Sequence, residues 1–335
     1  MESLVSVIIP NRNGAGTIGA CLAAAQASRH DNFEIIVVDD GSEDDSIEVI
    51  GRYPCRLLRL ARHAGAARAR NLGASQSRGQ MLFFTDADCL LQPDTLALAA
   101  AALAREGSDA IIGGSYTQAP YDSRFFSRFQ SIFIHHFETR HAPAADYIAT
   151  HALAIDASVF HRHGGFDEDL RPILEDVEFS HRLRRAGCRL VMDPAILVQH
   201  IFNYSLIRSL GNAFTKSLYW TRYAIGNRDL LADSGTASVG LKLNALHFAG
   251  DAGLLSGFAL TREAILLAFM APALAVNLFV NRGLLVAFYR AEGLGFALAA
   301  AAYYLLLYPL AVGAGALAGM LRHWRAPALR SRERR

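Results

Sequence analysis

The first hundred residues alternate between strand-like and helix-like segments, and this alternation most limits the fold. Four short segments look like buried strands: residues 5–9, 34–38, 56–60 and 81–84. Helix-like segments follow them at residues 18–28, 45–52, 66–76 and 94–106. The pattern predicts an α/β fold, Rossmann-like, with a mostly parallel sheet and helices on both faces. Ligands are then expected beyond the carboxyl ends of the strands.

The C-terminal part of the chain has a different composition. Of the 335 residues 52% are hydrophobic, and much of this excess lies at residues 244–322, which we predict to be a membrane region. Two uncharged runs, 264–280 and 293–320, have 17 and 28 residues, against the ~20 that cross a bilayer as a helix. They predict a C-terminal hairpin of transmembrane helices. A third run, 245–260, contains Asp251 and is the weaker candidate, so three spans remain the alternative to two.

The segments that flank this region predict its orientation. Residues 206–243 form a juxtamembrane segment, and residues 206–223 within it predict a basic amphipathic helix with Leu206, Leu210, Phe214 and Leu218 on one face. The alternative is a helix packed on the preceding domain, which spans residues 1–205. Residues 323–335 form an arginine-rich tail, which the positive-inside rule places in the cytoplasm. A hairpin returns this tail to the side of the N-terminal domain.

Charge and cysteine content limit which ligands and bound metals are expected. A formal net charge of +2 is too small to indicate nucleic acid as a ligand. The four cysteines are scattered, without the spacing of a zinc site or a disulfide framework.

A glycine motif near the N-terminus suggests one class of function. Gly14, Gly16 and Gly19 spell G-x-G-x-x-G after the first strand, and Asp39 follows twenty residues later, as in dinucleotide-binding proteins. An NAD(P)-dependent oxidoreductase is therefore one alternative. However, residues 10–13 separate the strand from Gly14, and Pro10 is expected to end the hydrogen bonding of that strand. The glycines then lie too far from the sheet edge to hold a pyrophosphate.

Paired carboxylates suggest a different chemistry. Asp86 and Asp88 follow the strand at 81–84, and Asp39 and Asp40 end the strand at 34–38. Two such pairs at one edge of a sheet suit a hard divalent cation, Mg²⁺ or Mn²⁺, together with a diphosphate.

Five segments, in order and at the usual spacing, resemble the family 2 glycosyltransferases of the GT-A fold. They are VSVIIPNRNGAGTIGACL, EIIVVDDGSEDDS, GAARARNLGAS, MLFFTDADC and GGFDEDLRPILEDVEFSHRLRRAG. The resemblance covers about residues 4–200 and implies a catalytic domain there. It also implies a nucleotide-sugar donor whose nucleoside is held by these four positions: Pro10, Asn11, Asp39 and Asp40.

The same resemblance implies roles for the remaining site residues. Arg70 would lie near the donor nucleotide, and Asp86 would contact ribose and metal, with Asp88 the more direct metal ligand. His200 stands where some relatives have a histidine near the metal or diphosphate. Of the acidic pair Glu175 and Asp176, the second is favoured as the general base, which accepts the proton of the acceptor hydroxyl.

These residues together predict an inverting, metal-dependent hexosyltransferase. The Q-x-x-R-W pattern of processive synthases is absent after His200, so transfer of a single sugar is expected. The membrane region favours a lipid or lipid-linked acceptor, a role in cell-envelope glycans and a cytoplasmic catalytic domain at the plasma (inner) membrane. The alternatives are the oxidoreductase and a non-catalytic nucleotide-sugar-binding membrane protein of the same fold.

Overall fold

The computed structural model describes residues 3–170 and 172–325. The chain divides into two compact units. The N-terminal unit comprises Met1–Ser123 and Glu138–Asn203, and the C-terminal unit comprises Arg124–Phe137 and Tyr204–Arg335. Most of the predicted tail, at residues 326–335, lies outside the described residues.

One eight-stranded sheet organises the N-terminal unit, in the order β3-β2-β1-β4-β7-β6-β8-β5. Its strands are β1 Val5–Asn11, β2 Phe33–Asp39, β3 Arg56–Arg59, β4 Met81–Phe84, β5 Cys89–Leu91, β6 Ala110–Tyr116, β7 Leu153–Asp156 and β8 Arg189–His200. Strand β1 is parallel to β2 and β4, and β2 is parallel to β3. Strand β7 is antiparallel to β4 and β6, and β5 is antiparallel to β8. Strand β6 is parallel to β8. Four of these seven pairings are therefore parallel, and the predicted mostly parallel sheet is confirmed.

Among the described residues up to 203, the first four helices are the ones that the sequence predicts. The helices there are α1 Ile18–Gln26, α2 Ser46–Ile50, α3 Ala66–Ser75, α4 Thr95–Glu106, α5 Phe125–Thr139, α6 Ala157–Arg162 and α7 Glu175–Arg185. Residues 125–137 of α5 belong to the C-terminal unit. The first four helices and β1–β4 agree with the predicted segments to within three residues at either end.

Strand β1 continues through its proline, which corrects the expectation that Pro10 ends it. Pro10 is paired with Val38 and Asn11 with Asp39 on β2. The proline is tolerated because pairing with β4 ends at Ile8, whose carbonyl accepts a hydrogen bond from the Thr85 N–H at 3.2 Å. Backbone groups of even-numbered residues in β1 face β4, so the missing N–H of Pro10 falls beyond the last ladder bond on that side.

Aromatic packing fixes α7 against the end of β4. The rings of Phe84 and Phe166 lie 5.2 Å apart and nearly perpendicular, and the rings of Phe166 and Phe179 lie 4.8 Å apart. All three side chains are buried, and such pairs contribute about 0.5–1.5 kcal/mol beyond area burial. The cluster therefore holds the start of α7 near the residues that follow β4.

Helices make up most of the C-terminal unit. After α5 they are α8 Leu206–Asn227, α9 Val239–Thr261, α10 Ile265–Ala268, α11 Met270–Val280, α12 Arg282–Ala302, a π-helical segment Tyr303–Leu307 and α13 Tyr308–Arg325. The stretch 281–292, which the hairpin prediction makes a loop, is mostly helical. The interruption comes at Gly293, whose φ of 81° lies in the left-handed region.

One helical stretch among the described residues, Arg282–Arg325, is long and apolar enough to cross a membrane by length and composition. The stretch Ile265–Val280 is apolar but shorter. A single helix of this kind is weak evidence of membrane association, since core helices of soluble proteins have the same composition. The two-span hairpin remains a prediction.

Helices α8 and α13 approach closely through small residues. A Cβ at Gly315 would lie 2.3 Å from the Phe214 carbonyl oxygen, and one at Gly319 would lie 2.6 Å from the Leu218 carbonyl oxygen. Ser217 Oγ donates to the Val312 carbonyl at 2.7 Å. The amphipathic helix predicted at 206–223 is thus present, but much of its buried side consists of small residues, and of the predicted face Leu206 is exposed while Leu218 is buried.

A buried amide network joins three other segments of this unit. Asn277 Nδ2 donates to Asn244 Oδ1 at 2.9 Å, and Asn281 Nδ2 donates to Asn277 Oδ1 at 2.8 Å. The network ends on Tyr304, whose hydroxyl donates to Asn281 Oδ1 and whose carbonyl accepts from Asn244 Nδ2. Buried amides need such partners, so the network specifies how α9, α11 and the π-helical segment pack.

Candidate functional site

A cleft of about 620 Å³ opens at the carboxyl ends of β1, β2 and β4. Most of the predicted site residues line it: Pro10, Asn11, Asp40, Arg70, Asp86, Asp88, Glu175 and His200. Two predicted residues, Asp39 and Asp176, are not among its lining residues. The sheet therefore brings together residues that the sequence separates by up to 190 positions, here Pro10 and His200.

Asp39 is buried behind the cleft, where it organises the turn after β2. Its Oδ1 accepts hydrogen bonds from Ser42 Oγ at 2.5 Å and Asn11 Nδ2 at 3.1 Å, and its Oδ2 accepts from the Ser42 N–H at 3.0 Å. The carboxylate is committed to these partners, so its direct contribution is to fix Asn11.

Asp40 lines the cleft but is also engaged within the chain. Its Oδ1 accepts from the Ala64 N–H at 2.6 Å, and its Oδ2 accepts from the Gly65 N–H at 2.9 Å. His63 Nδ1 lies 2.8 Å from the same Oδ2. Asp40 thereby holds the loop between β3 and α3 at the edge of the cleft.

The glycine motif serves local packing. The Gly14 N–H donates to Ser46 Oγ at 2.9 Å, and the Ala15 N–H donates to Asp44 Oδ2 at 3.0 Å. A Cβ at Gly14 would lie 2.3 Å from Asn11 Oδ1, so a glycine is needed where the Asn11 amide packs against the backbone. Backbone donors that a pyrophosphate cradle would use are occupied by side chains, which argues against the dinucleotide interpretation.

Arg70 joins the two halves of the cleft. The side chain is 5% exposed, and its guanidinium donates to Asp86 Oδ1 at 2.6 Å and to Glu175 Oε1 at 2.5 Å. Burial alone would lower the pKa of Arg70, but Asp86 and Glu175 raise it, so the guanidinium stays charged. One cation from α3 therefore links the segment after β4 to the first turn of α7.

The acidic pair begins α7, where negative charge is favoured by the helix dipole. Burial raises the pKa of both Glu175 and Asp176, while Arg70 opposes this rise in each. Glu175 is buried and bonded to Arg70. Asp176 is half-buried, and its Oδ2 accepts from the Thr150 N–H at 3.4 Å. Asp176 is therefore the carboxylate of the pair without an ion-pair partner at hydrogen-bond distance among the described residues.

The two aspartates of the D-x-D segment are in different protonation environments. Burial alone would raise the pKa of Asp86, but Arg70 lowers it below its ordinary value. The Asp88 side chain is 41% exposed, but the protein around it removes part of its hydration, which disfavours the charged carboxylate. This loss of hydration, and then the charge of Asp86, raise the pKa of Asp88 to about 7. Opposed shifts of neighbouring carboxyls are common where a cation or a reacting group binds.

Asp88 and His200 could hold a divalent cation. His200 Nε2 lies 3.5 Å from Asp88 Oδ1, and the ligand atoms of Asp88, Cys89 and His200 all lie within 4.8 Å of one another. Burial raises the pKa of the Cys89 thiol well above its ordinary value, so the carboxylate and imidazole are the better ligands. This donor set fits a divalent ion such as Mn²⁺, which accepts carboxylate and imidazole ligands.

Several residues of the site gave no signal in the sequence. The cleft is also lined by Arg12, which lies within the first resembling segment but has no predicted role, and by His63, which lies outside all five segments. Beneath it, Glu138 Oε2 lies 3.3 Å from His151 Nε2, and the His151 ring stacks on Tyr116 at 4.0 Å. Glu138 and His151 are thirteen residues apart on different elements, so their contact depends on the tertiary fold.

Comparisons with known proteins bear on the class of the N-terminal domain. Residues 6–163 match the family model described as "Glycosyl transferase family 2". Glycosyltransferase GlyG from Streptococcus pneumoniae is 28% identical over 131 residues, which cover 38% of this chain and 44% of that protein. The matched segment thus spans less than half the length of this curated relative.

Two solved structures share the fold. The mannosyltransferase PcManGT from Pyrobaculum calidifontis, in complex with GDP-Man and Mn²⁺, has a TM-score of 0.57 at 19% identity, and the match covers 93% of this chain and 86% of that one. GalNAc-T7 with UDP, GalNAc and Mn²⁺ has a TM-score of 0.50 at 19% identity, covering 68% and 50%. The family match, the curated relative and the fold together support a family 2 glycosyltransferase domain of the GT-A fold in this chain.

Proposed function

We propose that this protein transfers a single sugar from a nucleotide-sugar donor to an acceptor, with inversion at the anomeric carbon and with Mg²⁺ or Mn²⁺ as cofactor. The observation that carries the proposal is the placement of Asp86, Arg70 and Glu175 in one ion-paired array along the cleft. The GT-A neighbours bound to nucleotides or nucleotide sugars and Mn²⁺ give further support. A bound divalent cation would offset the negative charge of the departing nucleoside diphosphate.

The predicted residues on the donor side of the cleft have different proposed roles. Pro10 and Asn11 shape the floor at the end of β1, and Asp39 and Asp40 act through the groups that they hold. Asp88 and His200 would bind the cation, with Asp86 beside them and fixed by Arg70. The donor diphosphate would supply further oxygen ligands.

Asp176 is proposed as the general base. The acceptor hydroxyl oxygen forms a bond to the anomeric carbon, the bond from that carbon to the diphosphate oxygen breaks, and the hydroxyl proton passes to the Asp176 carboxylate. A raised pKa makes a carboxylate a better proton acceptor, and Glu175 is less available because it is bonded to Arg70. We expect Asp176→Asn to lower kcat by 10²-fold or more, within the range for a general base.

A donor-hydrolysis screen tests the proposal. Purified full-length protein is incubated with UDP-, GDP- and dTDP-sugars in Mn²⁺ or Mg²⁺, and release of nucleoside diphosphate is measured. We expect metal-dependent release from at least one donor, loss of it in Asp88→Ala, and no loss in Asp109→Ala, which changes an exposed aspartate away from the cleft. Absence of release from every donor would overturn the proposal. Binding without turnover, unaffected by Asp176→Asn, would instead indicate a non-catalytic nucleotide-sugar-binding protein.

A membrane-associated acceptor is the second part of the proposal. Large apolar side chains are exposed along the C-terminal helices, among them Leu255, Phe279 and Leu317. Contiguous exposed apolar surface is typical of membrane or partner contacts. We propose that this unit anchors the enzyme at the plasma (inner) membrane, with the catalytic domain cytoplasmic and the acceptor a lipid or lipid-linked glycan of the cell envelope. Equal activity on soluble sugars and on lipid-linked acceptors in vesicles would contradict the acceptor assignment.

A further inference from the structure

Nucleobases in protein sites often stack on aromatic side chains. Among the described residues that line the cleft there is no Phe, Tyr or Trp. The arginine and histidine side chains among those described residues are Arg12, Arg70, His63 and His200. Arg70 is bonded to two carboxylates, and His200 lies beside Asp88 with its ring stacked on Phe202 at 3.9 Å. Arg12 and His63 therefore remain as candidates to contact a base.

His63 is held in place from one side only. Its Nδ1 lies 2.8 Å from Asp40 Oδ2, and 47% of its side chain is exposed. Asp40 itself is buried and is also bonded to the Ala64 and Gly65 N–H groups, so its position is fixed. The ring faces and Nε2 of His63 are left for a ligand in the cleft.

Arg12 is an exposed cation at the mouth of the cleft. It follows Asn11 at the end of β1, and it makes no hydrogen bond or ion pair with any described residue. Guanidinium planes stack on π-systems and donate to carbonyl and ring-nitrogen acceptors on the edges of bases. Both properties suit a nucleobase.

The order of the strands places Arg12 and His63 apart from the candidate metal ligands. Arg12 follows β1, and the loop of His63 is anchored on Asp40 after β2, whereas Asp86 and Asp88 follow β4 on the other side of β1. With neighbouring strands ~4.8 Å apart, β2 and β4 lie about 10 Å from each other. A diphosphate beside Asp88 would thus direct its nucleoside toward β2.

We propose that Arg12 and His63 together form the platform for the donor nucleobase, with Asp40 as the residue that positions His63. This inference rests on the proposed function, because it presumes a nucleotide donor. It replaces the predicted direct contact between Asp40 and the base with a contact made by the histidine that Asp40 holds. The platform recognises the π-face of the base and its acceptor atoms, whether the base is a purine or a pyrimidine.

Binding measurements on the full-length protein test the platform. Dissociation constants for GDP, UDP and inorganic pyrophosphate are measured by calorimetry in detergent with Mn²⁺. We use Arg12→Ala and His63→Asn, the second of which keeps a donor for Asp40 but removes the ring. Arg62→Ala is the matched control, since Arg62 is exposed and adjacent to His63 but does not line the cleft. Each platform variant should bind the preferred nucleotide at least about fivefold more weakly, while pyrophosphate binding changes less than about twofold.

The outcomes distinguish a failure of the platform proposal from a failure of the proposed function. If wild-type protein binds a nucleotide and both platform variants bind it equally well, the platform is refuted and the proposed function stands. If pyrophosphate binding weakens in proportion to nucleotide binding, Arg12 contacts phosphate and the platform is again refuted. If the wild-type protein binds none of the three ligands, the proposed function fails as well.

Discussion

Arg70 offers the sharpest test of how the site is built. Arg70→Ala would leave Asp86 and Glu175 facing each other across the space of the lost guanidinium, with Asp176 beside them. Both carboxylates are at most one-third exposed, so water compensates little for the lost ion pairs. Removing one partner of a buried ion pair costs about 3–5 kcal/mol, because the remaining charge stays buried. We expect a loss of stability in that range.

Thermal unfolding of the purified protein measures the effect. For a unit of about 150–250 residues, 1 kcal/mol corresponds to ~2–4 °C in Tm, so Arg70→Ala should lower the Tm of the N-terminal unit by roughly 6–20 °C. The control is Arg68→Ala on the same helix, where Arg68 pairs with Glu168 and the two side chains are 54% and 34% exposed. An exposed pair contributes about 1 kcal/mol or less, so this variant should lose no more than about 4 °C.

The pH dependence provides an independent check on the same variant. Arg70 lowers the folded-state pKa of Asp86, so this stabilisation is present above the ordinary pKa and is lost as pH falls through the lowered value. The difference between wild type and Arg70→Ala should therefore shrink in acid. If Arg70→Ala and Arg68→Ala lose equal stability at neutral pH, the bridging role is refuted.

Three further predictions concern other parts of the molecule. Gly315→Ala should destabilise the C-terminal unit by about 1–3 kcal/mol, since its Cβ meets the Phe214 carbonyl, whereas Gly313→Ala has open space and should be neutral or stabilising; denaturant unfolding in detergent compares them. Asn277→Leu should cost about 1–3 kcal/mol in the same assay, because its buried amide partners lose their bonds. Burial would lower the pKa of His151, but Glu138 raises it, and the net result is a raised pKa. The stability that this pair contributes should therefore be complete below pH ~6.5 and be lost as the pH rises through the higher folded-state pKa. A His151→Gln variant should show a flatter dependence of Tm on pH.

The parallel half of the sheet could be predicted because its signals are local. Strands β1, β2 and β4 are short, mainly apolar runs bounded by polar residues. Strand β3 is predicted to be buried but is partly exposed, because Arg56 and Arg59 stand at its ends. Pro10 misled the prediction because a proline's effect depends on which neighbour its backbone faces. At Pro10 that neighbouring strand has already ended, which only the register of β1 against β4 reveals.

Most of the residues predicted for the site line the cleft, but the sequence could not rank them. Asp39 and Asp40 are adjacent and chemically equal, yet Ser42 and Asn11 occupy the first, while Ala64, Gly65 and His63 occupy the second. Only the second lines the cleft. Those partners lie up to 28 residues away in the chain, so neither periodicity nor motif spacing could show them.

The array centred on Arg70 has a consequence for how the two sides of the cleft communicate. A single guanidinium donates to Asp86, beside the proposed cation site, and to Glu175, beside the proposed base. Any change of charge at Asp86 alters how strongly its carboxylate competes for the guanidinium. It therefore also alters the electrostatic potential at Glu175 and Asp176. Since Arg70 opposes the rise in pKa of both acids, weaker competition from Asp86 lets the guanidinium favour their ionised forms more strongly. If the proposed donor binds beside Asp86, its binding is coupled through one buried cation to the protonation of the acid pair. Arg70→Lys keeps the charge but loses the fork that bonds both carboxylates, so it should weaken this coupling more than it weakens folding.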